Sequence, residues 1–172
     1  MKDLLDKLSS YNLFNYLVPG ILFVVVVDKI THYSFIQQDI VLGIFLYYFI
    51  GLVISRFGSL VIEPILQKIS FLHFVDYRKF VASLKTDEKL ELLSEVNNTY
   101  RTLCSLFALL LLLKLYEVIE IRLPFLAEWN KLSLLALLLV IFLFSYRKQT
   151  RYITKRIDTN QRLTKSSGDN LK

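Results

Sequence analysis

The stretch Ile40-Val41-Leu42-Gly43-Ile44-Phe45-Leu46-Tyr47-Tyr48-Phe49-Ile50-Gly51-Leu52-Val53-Ile54-Ser55-Arg56-Phe57-Gly58-Ser59-Leu60-Val61-Ile62 holds one charge, Arg56, in 23 consecutive positions. A helix rises about 1.5 Å per residue, so this run covers about 34 Å, enough for the roughly 30 Å hydrocarbon layer of a bilayer. Asp39 is a good capping residue at its start. Glu63-Pro64 is expected to end it, because the residue before a proline is pushed out of helical geometry. Residues 40–62 are therefore read as a membrane span.

Toward the N-terminus, residues 13–27 are uncharged and form a first span. Pro19 cannot donate to the Asn15 carbonyl, so Asn15, Pro19 and Gly20 predict a bend, or a start shifted toward Pro19. Upstream, Leu4, Leu5, Leu8 and Tyr11 sit at helical spacing among Lys2, Asp3, Asp6 and Lys7. Residues 1–12 are thus expected to lie along the membrane surface. The early aspartates and the bulky Val24-Val25-Val26-Val27-Asp28 exit favour a retained anchor over a cleaved signal peptide.

Toward the C-terminus, a third span covers 102–122. Its uninterrupted apolar run stops at Leu113, too short to cross, so the helix must continue through Lys114, Glu117 and Glu120. A fourth covers 130–146, with Trp129 ahead of it as a belt residue and Arg147-Lys148 behind it, placed to snorkel. Thr86-Asp87-Glu88 reads as a helix start. From there Leu90, Leu93, Val96, Tyr100 and Leu103 recur at three- and four-residue intervals, which predicts one helix running unbroken into the third span. Residues 63–101 form a helical cytoplasmic loop whose aromatic stretch 70–77 is expected to pack on its own neighbours, with a place at the headgroup level or a partner surface as the alternatives. The basic tail 147–172 is expected to stay helical for several turns and to fray at Ser166-Ser167-Gly168-Asp169. The fold class is all-α: a polytopic integral membrane protein with four transmembrane helices in a bundle, spans three and four extended by cytoplasmic helices.

Composition agrees. The chain has 172 residues, 54% of them hydrophobic and 21% charged, which suits a single membrane domain and excludes intrinsic disorder. The net charge is +6 and its distribution is uneven. Lys2 and Lys7 precede the first span, six basic residues from Lys68 to Arg101 separate the second and third, and eight from Arg147 to Lys172 follow the fourth. The intervening loops hold only Lys29, Arg122 and Lys131. By the positive-inside rule both termini and the central loop face the cytoplasm, at the bacterial inner (plasma) membrane. An even number of spans requires the same. Arg147, Lys148, Arg151, Lys155 and Arg156 then meet lipid headgroups. Nucleic acid is not expected as a partner, because the tail contains no recognition module.

Catalysis has little to work with. His32 and His73 fall on opposite sides of the membrane, no hydrolase, zinc-protease or phosphate-cradling motif appears, and the lone Cys104 reads as a buried structural thiol. No enzyme, cofactor or metal is expected. The informative polar residues lie within the spans. Arg56 and Glu63, seven apart, share a helix face and read as an intramembrane ion pair or cytoplasmic gate, with a snorkelling Arg56 as the simpler alternative. Glu63, at the wrong end of its helix for the dipole, calls for a basic partner such as Arg56 or Arg101. Lys114, Glu117 and Glu120 line a protein interior or aqueous vestibule, or else reach the outer headgroups. Gly51, Ser55 and Ser59, spaced by four with Gly43 and Gly58 nearby, form a small-residue packing stripe.

The function expected from these features is a non-enzymatic membrane subunit. It anchors or senses for a soluble cytoplasmic protein partner and self-associates as a homo-oligomer; a place in defence or stress systems is analogy only. The alternative is an oligomeric pore that alters membrane permeability, with the intramembrane charges as its gate. A small dimeric transporter is the second alternative.

Overall fold

A computed structural model describes residues 12–84 and 86–169, with side chains to Arg162. The surface-lying segment expected over 1–12 lies, apart from Asn12, outside the described residues. The described chain is all-helical: α1 (Leu13–Ile30), α2 (Ile40–Lys68), the short α3 (Tyr77–Ser83), α4 (Lys89–Arg122) and α5 (Phe125–Asp169). Four of these, α1, α2, α4 and the Phe125–Arg162 part of α5, are long and apolar enough to cross a membrane.

Two prolines shape the first two helices in the same way. α1 starts at Leu13, well ahead of Pro19, and its first five residues, Leu13–Leu17, form one π-helical turn in which the Val18 N–H donates to the Leu13 carbonyl. α2 contains a second such turn, Gly58–Ile62, where the Glu63 N–H donates to the Gly58 carbonyl. Each wide turn stands directly before a Xaa-Pro pair, Val18-Pro19 and Glu63-Pro64. The added residue re-registers the hydrogen-bond ladder where the proline lacks a donor and its ring would strike the carbonyl four residues back. The shifted start expected for α1 therefore does not occur. Nor does Glu63-Pro64 end α2, which runs on to Lys68. Its true stop is Ser70 at φ 60°, with the Ser70 N–H on the Gln67 carbonyl (3.0 Å) and the Phe71 N–H on the Leu66 carbonyl (2.9 Å). This is a left-handed helix cap of the kind glycine normally makes.

α1 and α2 form an antiparallel pair in backbone contact. A Cβ on Gly20 would lie 1.8 Å from the Tyr47 carbonyl oxygen, and one on Gly51 would lie 1.8 Å from that of Tyr16. Each helix thus presents a glycine to the other's tyrosine backbone, four residues apart on both strands of the pair. Such close approach increases dispersion contact and brings Cα–H groups to carbonyls. The Asp39 carboxylate caps α2 by accepting from Leu42 N–H (2.9 Å), as its position predicts.

α4 packs across both. Val27, Ile54, Leu106 and Leu110 are its apolar core, and a buried polar knot lies one turn away. The Thr102 hydroxyl is 3.0 Å from Asn15 Oδ1, 3.2 Å from Ser55 Oγ and 2.9 Å from the Asn98 carbonyl. Asn15, Ser55 and Thr102 are all buried. One hydroxyl proton serves one acceptor at a time, and Ser55 can donate to Thr102 in return. We expect Thr102→Val to leave Asn15 and Ser55 short of a partner and to cost about 1–2 kcal/mol, read as a lower midpoint in detergent-monitored unfolding; an unchanged midpoint would show that the knot contributes nothing.

α5 lies to one side, along α2. Only 6% of its apolar stretch is buried, against 28% for α1 and α4. Phe142 stacks on Phe49 at 5.9 Å between ring centroids, and Ile141 is the buried anchor. Past that point α3 covers it: Tyr77 packs on Tyr152 at 6.3 Å, and Lys155 Nζ sits 4.6 Å over the Tyr77 ring. The four helices are thus unevenly packed. α5 is one uninterrupted helix of 45 residues, about 67 Å, through the Ser166-Asp169 stretch expected to fray. α4 is continuous over 34 residues, as its periodicity predicts, but its start differs. Asp87, not Thr86, accepts from the first N–H, that of Lys89 (2.9 Å), while the Thr86 hydroxyl donates back to the Ser83 carbonyl (3.0 Å).

Candidate functional site

The charged side chains on the long helices gather at the two ends of the helix assembly. At the end where α2 and α5 continue past their apolar runs, the centre is Glu63. Arg101 Nη1 from α4 lies 2.8 Å from one of its oxygens, and Lys148 Nζ from α5 lies 3.2 Å from the other. Lys148 also donates to the Ser59 carbonyl (2.6 Å) and hydroxyl (2.8 Å). One carboxylate on α2 therefore ties three helices together. Glu63 stands in the first turn after the π-turn, so the re-registered backbone aims it between α4 and α5.

Arg56 does not join it. The expected Arg56–Glu63 pair is absent, and Arg56 makes no ion pair among the described residues; it borders a small pocket with Ser59, Ser145, Lys148 and Tyr152. Seven residues of regular α-helix would put the two on one face about 10 Å apart along the axis. The π-turn Gly58–Ile62 lies between them and rotates that register, and Arg101 reaches Glu63 directly. The small-residue stripe divides in turn: Gly51 meets α1, Ser55 joins the polar knot with α1 and α4, and Ser59 meets Lys148 of α5. Gly58, beside it, faces α4, where a Cβ would lie 2.1 Å from Ser105 Oγ. Asn15 is in the knot, Pro19 follows the π-turn, and Gly20 is in the α1–α2 contact. Cys104, expected to be buried, is exposed on α4.

At the opposite end Lys114, Glu117 and Glu120 come together, and the chain linking α1 to α2 closes over them. Glu117 and Glu120 are only 5% and 8% exposed, which places them inside the protein instead of at its periphery. Glu117 accepts from the His32 backbone N–H (2.6 Å) and from Lys114 Nζ (2.5 Å), and His32 Nδ1 is 2.8 Å from it. Lys114 also donates to the carbonyl of Ile30, the last residue of α1 (2.6 Å), where a cation offsets the negative end of the helix dipole. Glu120 accepts from the Tyr33 hydroxyl and from the Asn130 amide of α5, and Asn130 in turn accepts from the Tyr116 hydroxyl. Burial, then the hydrogen bond to Glu120 and the charges of both carboxylates, push the Tyr33 phenol above its ordinary pKa. His32, Tyr33, Tyr116 and Asn130 are the members that sequence reasoning missed. The nine linker residues after Ile30 carry no periodicity that could have announced His32 and Tyr33.

Beyond Glu63 a groove of about 470 Å³ opens between α2 and α5. Arg147, Lys148, Arg151 and Lys155 line it together with Leu60, Pro64 and Phe144. Arg156, grouped with them by sequence, is exposed and outside it. Comparison of the chain with family models, curated proteins and solved structures finds no match.

Proposed function

We propose that this protein is a non-enzymatic membrane subunit at the cell's inner membrane. The four apolar helices cross the bilayer, both termini are cytoplasmic, and the parts of α4 and α5 beyond the bilayer hold a soluble protein partner. The observation that carries this reading is an apolar stripe on α4 ahead of its membrane span. Leu92, Leu93, Val96 and Tyr100 recur at helical spacing and are 62%, 60%, 42% and 64% exposed. On a helix stretch whose neighbours are Lys89, Glu91, Glu95 and Asn97, such a stripe suits the groove of a partner better than solvent. α5 supports it as a basic rod continuing from Arg147 to Asp169, about 34 Å long. The excess of Lys and Arg at this end supports the orientation.

A pore is the weaker reading. Of the charges that would gate it, Glu63, Lys114, Glu117 and Glu120 are spent on partners within one chain, and Arg56 alone has no ion pair among the described residues. Cross-linking in native membranes followed by purification tests the proposal. One soluble protein is expected to co-purify in fixed ratio and to be lost from Leu92→Glu/Val96→Glu. Recovery of the chain alone, or with itself only, speaks against it, and ion conductance of the purified protein in planar bilayers would favour the pore.

A further inference from the structure

We propose that the groove between α2 and α5 binds one anionic phospholipid, its phosphate held by Arg147 and Arg151 and an acyl chain laid along Leu60 and Phe144. This rests on the membrane reading above and goes beyond it, since the ligand is a lipid and not the soluble partner. The groove's chemistry is divided along its length: Leu60 and Phe144 belong to the apolar runs of α2 and α5, and the basic side chains begin one turn later, where the bilayer headgroups would stand. A volume of about 470 Å³ accommodates a headgroup with the upper part of one chain.

The cations in it are not equivalent. Lys148 is engaged by Glu63 and Ser59, and Lys155 lies over the Tyr77 ring. Among the described residues Glu63 is the one carboxylate lining the groove, and Arg101 and Lys148 already neutralise it. Arg147 and Arg151 remain. They stand four residues apart on one helix face, both exposed, and neither has an ion-pair partner among the described residues. Two guanidinium forks without carboxylates match the oxygens of a phosphate. A zwitterionic lipid brings its own cation to the same place, so charge complementarity selects a lipid of net negative charge.

The full chain in mild detergent, offered phosphatidylglycerol or phosphatidylcholine of equal chain length, tests this by native mass spectrometry. One phosphatidylglycerol per chain is expected, retained roughly tenfold better than phosphatidylcholine. Arg147→Gln/Arg151→Gln should remove that preference, whereas Arg122→Gln/Arg162→Gln, which deletes the same charge elsewhere, should keep it. The wild-type comparison of the two lipids stands even where the double variant does not fold. Equal retention of both lipids, an undiminished preference in the Arg147/Arg151 variant, or displacement by a tenfold excess of inorganic phosphate overturns the proposal; the last assigns the arginines to a free anion. A chain that stays dissolved without detergent overturns the membrane reading and this site together. One that needs detergent but does not discriminate overturns the site alone.

Discussion

Gly51→Leu unfolds the α1–α2 pair, lowering stability by about 3 kcal/mol or more. A Cβ at this position falls 1.8 Å from the Tyr16 carbonyl oxygen and 2.9 Å from the Tyr16 Cα. The obstacle is backbone, which no rotamer change can clear, so the helices must part. Parting them also opens the knot of Asn15, Ser55 and Thr102 and the contact at Gly20. Gly51→Ala already sets a Cβ against the Tyr16 carbonyl, and Gly43→Ala on the same helix is its matched control. Its Cβ meets the edge of the Tyr47 ring at 3.3 Å, a side chain that can yield, so the expected cost is under about 1 kcal/mol. Circular-dichroism melts of the two alanine variants in one detergent make the comparison. Equal midpoints would mean that the two helices do not touch along this line.

Glu63→Gln carries the second large effect. It leaves Arg101 and Lys148, each about a quarter exposed, facing one another without their common anion. Removing one member of a buried charge cluster costs about 3–5 kcal/mol; the partial exposure here lowers the expectation to about 2–3 kcal/mol. Arg56→Gln is expected to change stability by less than about 0.5 kcal/mol, since Arg56 has no ion pair to lose. A double-mutant cycle of Glu63→Gln with Arg101→Gln should show strong non-additivity, because both changes break one contact. An Arg56 variant as damaging as the Glu63 variant would restore the pairing that spacing along α2 suggests.

That contrast shows where sequence reasoning reaches and where it stops. The four long apolar helices and the unbroken α4 were legible because each is written in consecutive residues. Glu63 had two basic candidates in the sequence, Arg56 on its own helix and Arg101 38 residues away, and the choice between them depended on where α4 lies. Proline rules placed the end of α2 at Glu63-Pro64, since a π-turn has no compositional signature. The actual stop at Ser70 lacks the glycine that would have advertised it. Lys114, Glu117 and Glu120 were recognisable as a set, but not the side chains that satisfy them. His32 and Tyr33 come from a linker without periodicity, and Asn130 comes from another helix. The stripe Gly51, Ser55 and Ser59 was visible as small residues at helical spacing. That it would serve three different neighbours depended on where α1, α4 and α5 lie.

Labelling of single cysteines in a Cys104→Ser background tests the membrane arrangement most directly. A membrane-impermeant maleimide added to intact cells is expected to modify Ser34→Cys and Arg122→Cys, at the end closed by the α1–α2 linker. Ser83→Cys and Gln161→Cys should react only after lysis. Modification of Gln161→Cys in intact cells, or a full-length chain left in the supernatant of a detergent-free lysate, contradicts the four-span reading.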